Sequence, residues 1–318
     1  MTGFFLPRAL PRAAAVTLLF FLAGLTAAGC GLYTDIMSAT RDMQLGLGRS
    51  RSDLKMKVVL RPVENRSVVA AEGYPAAFGR AFSDALAEEC PAVVQIRPGE
   101  PGYPDTLLRL PEIQPAPSDN QAVAGIGRKI GANAVLSETI FDISGKTERR
   151  GILWFRDSKS FLQFSVGVAA LDMETGAKFL DETYEDEIEI DPFDLEVFER
   201  ERRIQGKAIE EALQEAAEEL AETACERIQE IPWKGFLVSG GDPVQIAAGE
   251  NVGVTAGDVF DVYATGKEMQ GIEGQLFYLP GKKVAQVRVV SVTPDRAIAE
   301  VVASEAALAP GYTVRPAE

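Results

Sequence analysis

The chain has 318 residues, 46% of them hydrophobic and 25% charged, a balance that excludes collagen-like, disordered and polytopic membrane classes and allows about two domains. Its 47 acidic residues against 32 basic ones leave a formal charge of -15, which argues against a nucleic-acid partner. There is no histidine, so Ser-His and Cys-His catalytic pairs, imidazole metal sites and the usual near-neutral proton shuttle are all missing.

The N-terminus reads as a targeting device. Arg8 and Arg12 flank an apolar run beginning at Ala13, and small residues follow up to Cys30, the layout of a secretory signal peptide over residues 1–29. The apolar stretch ends at Ala28, short of the roughly twenty residues that a spanning helix needs. The segment Leu25-Thr26-Ala27-Ala28-Gly29-Cys30 resembles a bacterial lipobox, although Ala27 stands where leucine is preferred. That resemblance implies lipidation of Cys30, with palmitate-type acyl chains anchoring the protein, and Gly31 in place of an aspartate implies the outer membrane, facing the periplasm. Residues 30–54 then form a lipidated tether. Cys90 and Cys225 remain in an oxidising compartment, where an even remainder invites a disulfide; two buried free thiols are the alternative.

From Lys55 the pattern sharpens. Lys57 to Leu60 reads as a buried strand, Tyr74 to Glu89 as a helix with Phe78, Phe82 and Leu86 on its apolar face, and Ala92 to Ile96 as a second strand. Six prolines between Pro98 and Pro117 exclude regular structure there. A helix capped by Asp119 or Asn120 runs to Ile130, and Ala134 to Ile143 is a third strand. This βαβαβ order predicts parallel neighbours joined by right-handed crossovers. The segment from Ser144 to Lys159 is polar apart from Ile152, Leu153, Trp154 and Phe155, and its pattern fits either a mobile loop or a further edge strand.

Phe161 to Asp172 and Lys178 to Ile190 form an antiparallel hairpin turned at Thr175-Gly176. In its second strand Glu185, Glu187, Glu189 and Asp191 alternate with other residues and project from one face. One reading is a solvated edge that resists further strand pairing; the other is a calcium or magnesium site. One long helix is expected from Phe193 to Ile231, with Ile209, Leu213, Ala216, Leu220, Ala224 and Ile228 as its stripe. That stripe packs on the sheet, or alternatively pairs with a second copy in a homo-oligomer. After Pro232, short β-rich runs separated by glycine, aspartate and proline point to a small barrel.

The expected class is therefore α+β: a mixed-sheet periplasmic domain over residues 55–231, closed by a long helix, then an all-β barrel domain over residues 232–318. Gly125, Gly127 and Gly131 fall within and at the end of a helix, with the wrong spacing for a dinucleotide fingerprint. No catalytic residue, enzyme activity or cofactor is expected.

Two family resemblances add to this. Val58 to Asn65, then Ile130 to Glu138 with a glycine-alanine pair introducing the third strand, and the hairpin at Ala170 to Gly176, look like the periplasmic α/β domain of the curli secretion lipoprotein and related envelope lipoproteins. Val244 to Tyr263, Lys283 to Val289 and Pro310-Gly311-Tyr312-Thr313-Val314 resemble the C-terminal β-domain of flagellar assembly protein T. Together they imply a non-catalytic periplasmic scaffold or assembly factor with envelope protein partners, among them the flagellar basal-body ring. A secretion channel and an activator of a cell-wall synthase are the alternatives.

Overall fold

A computed structural model describes residues 54–69, 73–112, 119–152, 155–202, 207–271 and 274–317. The signal peptide, Cys30 and the tether up to residue 53 lie outside the described residues.

The first sheet has the order β3-β1-β4-β5-β6, with a short β2 also pairing with β4. These strands are β1 (Met56–Leu60), β2 (Glu64–Asn65), β3 (Val93–Ile96), β4 (Ala134–Ile152), β5 (Phe155–Asp172) and β6 (Lys178–Ile190). β1 runs parallel to both β3 and β4, while β5 and β6 continue the sheet antiparallel. Helix α1 (Gly73–Glu89) connects β1 to β3, and helix α2 (Asp119–Ile130) precedes β4. Alternation along β1 divides the core. Val58 and Leu60 face the larger cluster with Phe78, Phe82 and Leu86 of α1, whereas Val59 faces a smaller one with Val123 and Ala124 of α2. The two crossovers therefore cover opposite faces. Burying each phenylalanine contributes about 1.5–3 kcal/mol.

Two expectations are corrected. First, the proline-rich segment contains a 3-10 helix at Asp105–Glu112, whose Leu107 is buried. Second, the long helix is two helices, α3 (Pro192–Glu201) and α4 (Lys207–Glu230), and Arg202 ends α3 in the left-handed region at φ 53°. Of the two alternatives for Ser144 to Lys159 the structure has strand: the segment continues β4 and β5 into one long hairpin, paired from Ala134↔Asp172 out to Ile152↔Phe155.

All six stripe residues of α4 are buried. Alanines there and on α1, including Ala81 and Ala85, let the two helices approach closely over the sheet. Cys90, just after α1, is bonded to Cys225 near the end of α4, with Sγ–Sγ 2.20 Å and Cα–Cα 5.5 Å.

The C-terminal strands close into a six-stranded antiparallel barrel, β12-β13-β8-β7-β14-β9. Its strands are β7 (Gly235–Ser239), β8 (Val244–Ile246), β9 (Val259–Tyr263), β12 (Lys283–Val292), β13 (Ala297–Ser304) and β14 (Thr313–Pro316), and β10 (Glu268–Gln270) and β11 (Leu276–Tyr278) form a separate small hairpin. Sheet and barrel belong to one compact unit. Asn133 donates from Nδ2 to the Lys234 carbonyl at 2.6 Å, and Trp233 donates from Nε1 to the Lys55 carbonyl at 3.0 Å while stacking on Phe260 of the barrel. Lys234 is 2% exposed and pairs with Asp172 and with Glu174, which also receives Arg315 of β14 at 2.6 Å. Gly131 has φ +74°, and a Cβ there would collide with the Ala247 carbonyl oxygen, so the end of α2 abuts the barrel directly.

Candidate functional site

The long hairpin is the feature that most distinguishes this sheet from a closed-in core. β6 leaves β5 at Ser160↔Ile190, so Glu148 to Ile152 and Phe155 to Lys159 run on as a two-stranded arm of about 17 Å. Charged residues alternate along both strands and occupy both faces, as in Lys146, Glu148 and Arg150 against Arg149 on β4. The arm thus lacks the continuous lipid-facing side of a membrane-spanning barrel strand.

Its base is held by the acidic strand. Glu187 pairs with Lys146 at 2.8 Å and with Arg150, and both cations also reach Glu148, at 2.9 and 3.0 Å. Arg150 lies 3.8 Å from the centroid of the Phe161 ring, a cation–π contact that seats the arm on the sheet. Hydrogen bonding to Lys146 holds the Glu187 carboxyl below its ordinary range, and bonds from Lys146 and Arg150 do the same for Glu148. Glu189 pairs with Lys159 of the arm at 2.8 Å. Asp191 lies beyond β6 and caps α3, accepting from the Phe193 N–H at 2.8 Å with Pro192 in the first helical turn. α3 in turn packs Leu195 and Phe198 over Gly145, where any side chain would collide with Leu195.

The expected carboxylate row is therefore not gathered around a point. Glu187 and Glu189 serve as counter-charges for the arm, Asp191 serves as a helix cap, and Glu185 lines an open groove with Asp142 and Asp186. Among the described residues no group of three metal-ligating side chains converges. Asp172 accepts at Oδ1 from the N–H groups of Glu174 and Thr175, shaping the turn between β5 and β6 while Oδ2 meets Lys234.

At the far end of the arm Ile152 is 79% exposed. It begins the run Ile152-Leu153-Trp154-Phe155, which Arg149, Arg150 and Arg156 flank in sequence. The three arginines are exposed, and Arg156 donates to the Gly151 carbonyl at 3.4 Å. Ile152 is thus an exposed apolar residue on an arm that also carries the exposed Arg149 and Arg156, on a strongly acidic chain. The basic residues between Lys146 and Lys159 are the signal that sequence reading had available and did not connect to the acidic strand.

No family model matches the chain, and no curated protein matches it. Solved structures do. A hypothetical protein from Chlamydia trachomatis is 14% identical, with 55% of this chain and 98% of that one covered at a TM-score of 0.37. A lipoprotein from Neisseria meningitidis is 12% identical, covering 51% of this chain and 94% of that one at 0.31. A minor lipoprotein from Acinetobacter baumannii is 10% identical, covering 54% and 91% at 0.25. Bacterial lipoproteins thus stand among the similar structures, at scores too low to establish common descent or role.

Proposed function

We propose that this chain is a non-catalytic scaffold or assembly factor of the bacterial envelope, tethered to the outer membrane by lipid on Cys30 and facing the periplasm, and that it engages an envelope protein through the β4–β5 arm. The observation that carries this reading is the arm itself: a braced two-stranded projection that carries the exposed Ile152, Arg149 and Arg156 on a chain of charge -15. The disulfide between Cys90 and Cys225 supports an oxidising compartment. The resemblance of the barrel strands to flagellar assembly protein T makes the basal-body ring the machine to examine first.

The test is made in cells. A photo-crosslinking amino acid at Ile152 should yield adducts that fractionate with basal bodies, and joining Thr147 to Ser160 by a short turn should impair swimming as a deletion does while leaving protein abundance unchanged. Normal swimming of the shortened variant with no adduct from Ile152 overturns the proposal.

A further inference from the structure

Leu60 stands opposite Leu136 and Glu64 opposite Thr139, so Arg61, Pro62 and Val63 on one side match only Ser137 and Glu138 on the other. Pairing is interrupted there, and Pro62 has no N–H to offer β4. The interruption falls at the carboxyl ends of the parallel strands β1 and β3, where open α/β sheets place ligands. Alternation then sorts the side chains between the two faces. Arg61 turns to the face of Ser137, to which it donates from Nη1 at 3.2 Å, whereas Glu138 shares the face of Leu136 and Ile140, beneath α1.

On the α1 face a crevice of about 650 Å³ opens between the end of β1 and the helix, within the size range of small-molecule sites. Leu60, Pro62, Val63, Pro75 and Ala76 give it apolar walls. Two buried polar residues line it. Ser83 is spent on Gln95 at 2.8 Å, but Glu138, 2% exposed, has no hydrogen-bond partner at Oε1. A Cβ on Gly79 of α1 would stand 3.5 Å from Glu138 Oε2 and 2.8 Å from Val63 Cγ2, so the helix leaves room over the carboxyl by carrying no side chain there. Buried acceptors without a partner are rare and costly, and one that lines a crevice points to a donor supplied from outside.

Among the described residues no ion pair reaches Glu138, and the charges around the crevice are otherwise balanced. Arg80 and Asp84 of α1 are both exposed and offset each other, and Arg97 after β3 is held by Glu100 at 2.8 Å. On β5 the residue opposite Glu138 is Val168. The Tyr103 phenol feels the Glu138 charge but is itself pushed up to about 12 by burial, so it stays neutral. Burial raises the Glu138 carboxyl to about 8. We infer that this crevice binds a small organic cation, an ammonium or amidinium head on an apolar body, with the head paired to the Glu138 carboxylate and the body against Pro62, Val63 and Pro75. A cation supplies the counter-charge that the chain withholds, and the overall charge of -15 concentrates cations around it. The head takes the carboxyl in its ionised form, so binding at neutral pH expels the carboxyl proton to solvent.

Calorimetry on the purified full chain tests this with benzamidine, whose head stays charged across the range, and with benzamide, its neutral counterpart. Benzamidine should bind at least about tenfold more tightly at pH 9 than at pH 6, because the carboxyl ionises in between, and should release about one proton per molecule bound at pH 7. Benzamide should bind at least about tenfold more weakly than benzamidine at pH 9, in keeping with a charge-assisted pair. Glu138→Gln should lose both the pH dependence and this preference. Ala76→Trp, a change at an exposed position of the wall, should block the ligand with the carboxyl intact. Glu219→Gln, at an exposed position of α4 outside the crevice, should bind as the parent does, which separates a site from the general acidic field. No binding of benzamidine at pH 9, equal binding of benzamide, unimpaired binding by Ala76→Trp, a pH dependence retained in Glu138→Gln, or an equal loss in Glu219→Gln would overturn the inference.

Discussion

Glu138 illustrates how one side chain escapes sequence reading. It lies in a strand whose neighbours Leu136 and Ile140 are core residues on the same face, so period-two alternation assigns it to the interior, but nothing local says what it meets there. Its place beside Gly79 of α1 comes only from the parallel pairing of β1 with β4, which brings that helix over the strand. Its titration gives a stability test that needs no ligand. The folded pKa is raised from 4.5 to about 8, so the native state holds a proton that the unfolded chain releases in that interval. Stability should therefore fall as pH rises from 4.5 towards 8 and level off above it. Glu138→Gln should flatten this slope and melt several degrees higher than the parent at pH 9, as read by calorimetric melting; parallel curves for the two proteins would contradict the buried, protonated carboxyl.

Elements were legible in proportion to how well one face of each is buried. β1, α1, β3 and α2 announce themselves through apolar runs or helical spacing, and the structure has them within a residue or two of the expected limits. The arm did not, because strand recognition depends on alternation between a buried and an exposed side, and beyond Ser160 neither side is covered. The break between α3 and α4 was equally silent: Arg202 takes a left-handed conformation without the glycine that usually marks such a C-cap. Between α1 and α4 the disulfide closes a sequence separation of 135 residues. Replacing both Cys90 and Cys225 by alanine should cost about 2–5 kcal/mol in urea unfolding, mainly by freeing the unfolded chain. The secondary structure should remain, because the alanine-lined contact of the two helices is independent of the bridge. An unchanged unfolding midpoint would show that the linkage contributes nothing.

Across the whole molecule, the change from helical to β-rich composition at Pro232 marks where the barrel begins, but it hides how firmly the barrel is joined to the sheet. The joint depends on Lys234, buried between two carboxylates on the β5–β6 turn, and on Arg315 reaching the same turn from β14. Opposite charges at such distances in sequence carry no periodic signature. Removing one member of a buried ion pair leaves its partner desolvated, so Lys234→Met should destabilise by about 3–5 kcal/mol in urea unfolding, and adding Asp172→Asn should recover part of the loss. A midpoint within error of the parent would mean that the cluster does not hold the two parts together.

One consequence follows from the course of β4. The strand that pairs with β1 at Ala134 to Leu136 is the same strand that ends at Ile152 in the arm, with Glu138 between them. Tension applied at Ile152 is transmitted along a single covalent backbone into the centre of the sheet. There it loads the rungs between β1 and β4 in shear, so a mechanical pull outside and the register of the central strands inside share one structural member.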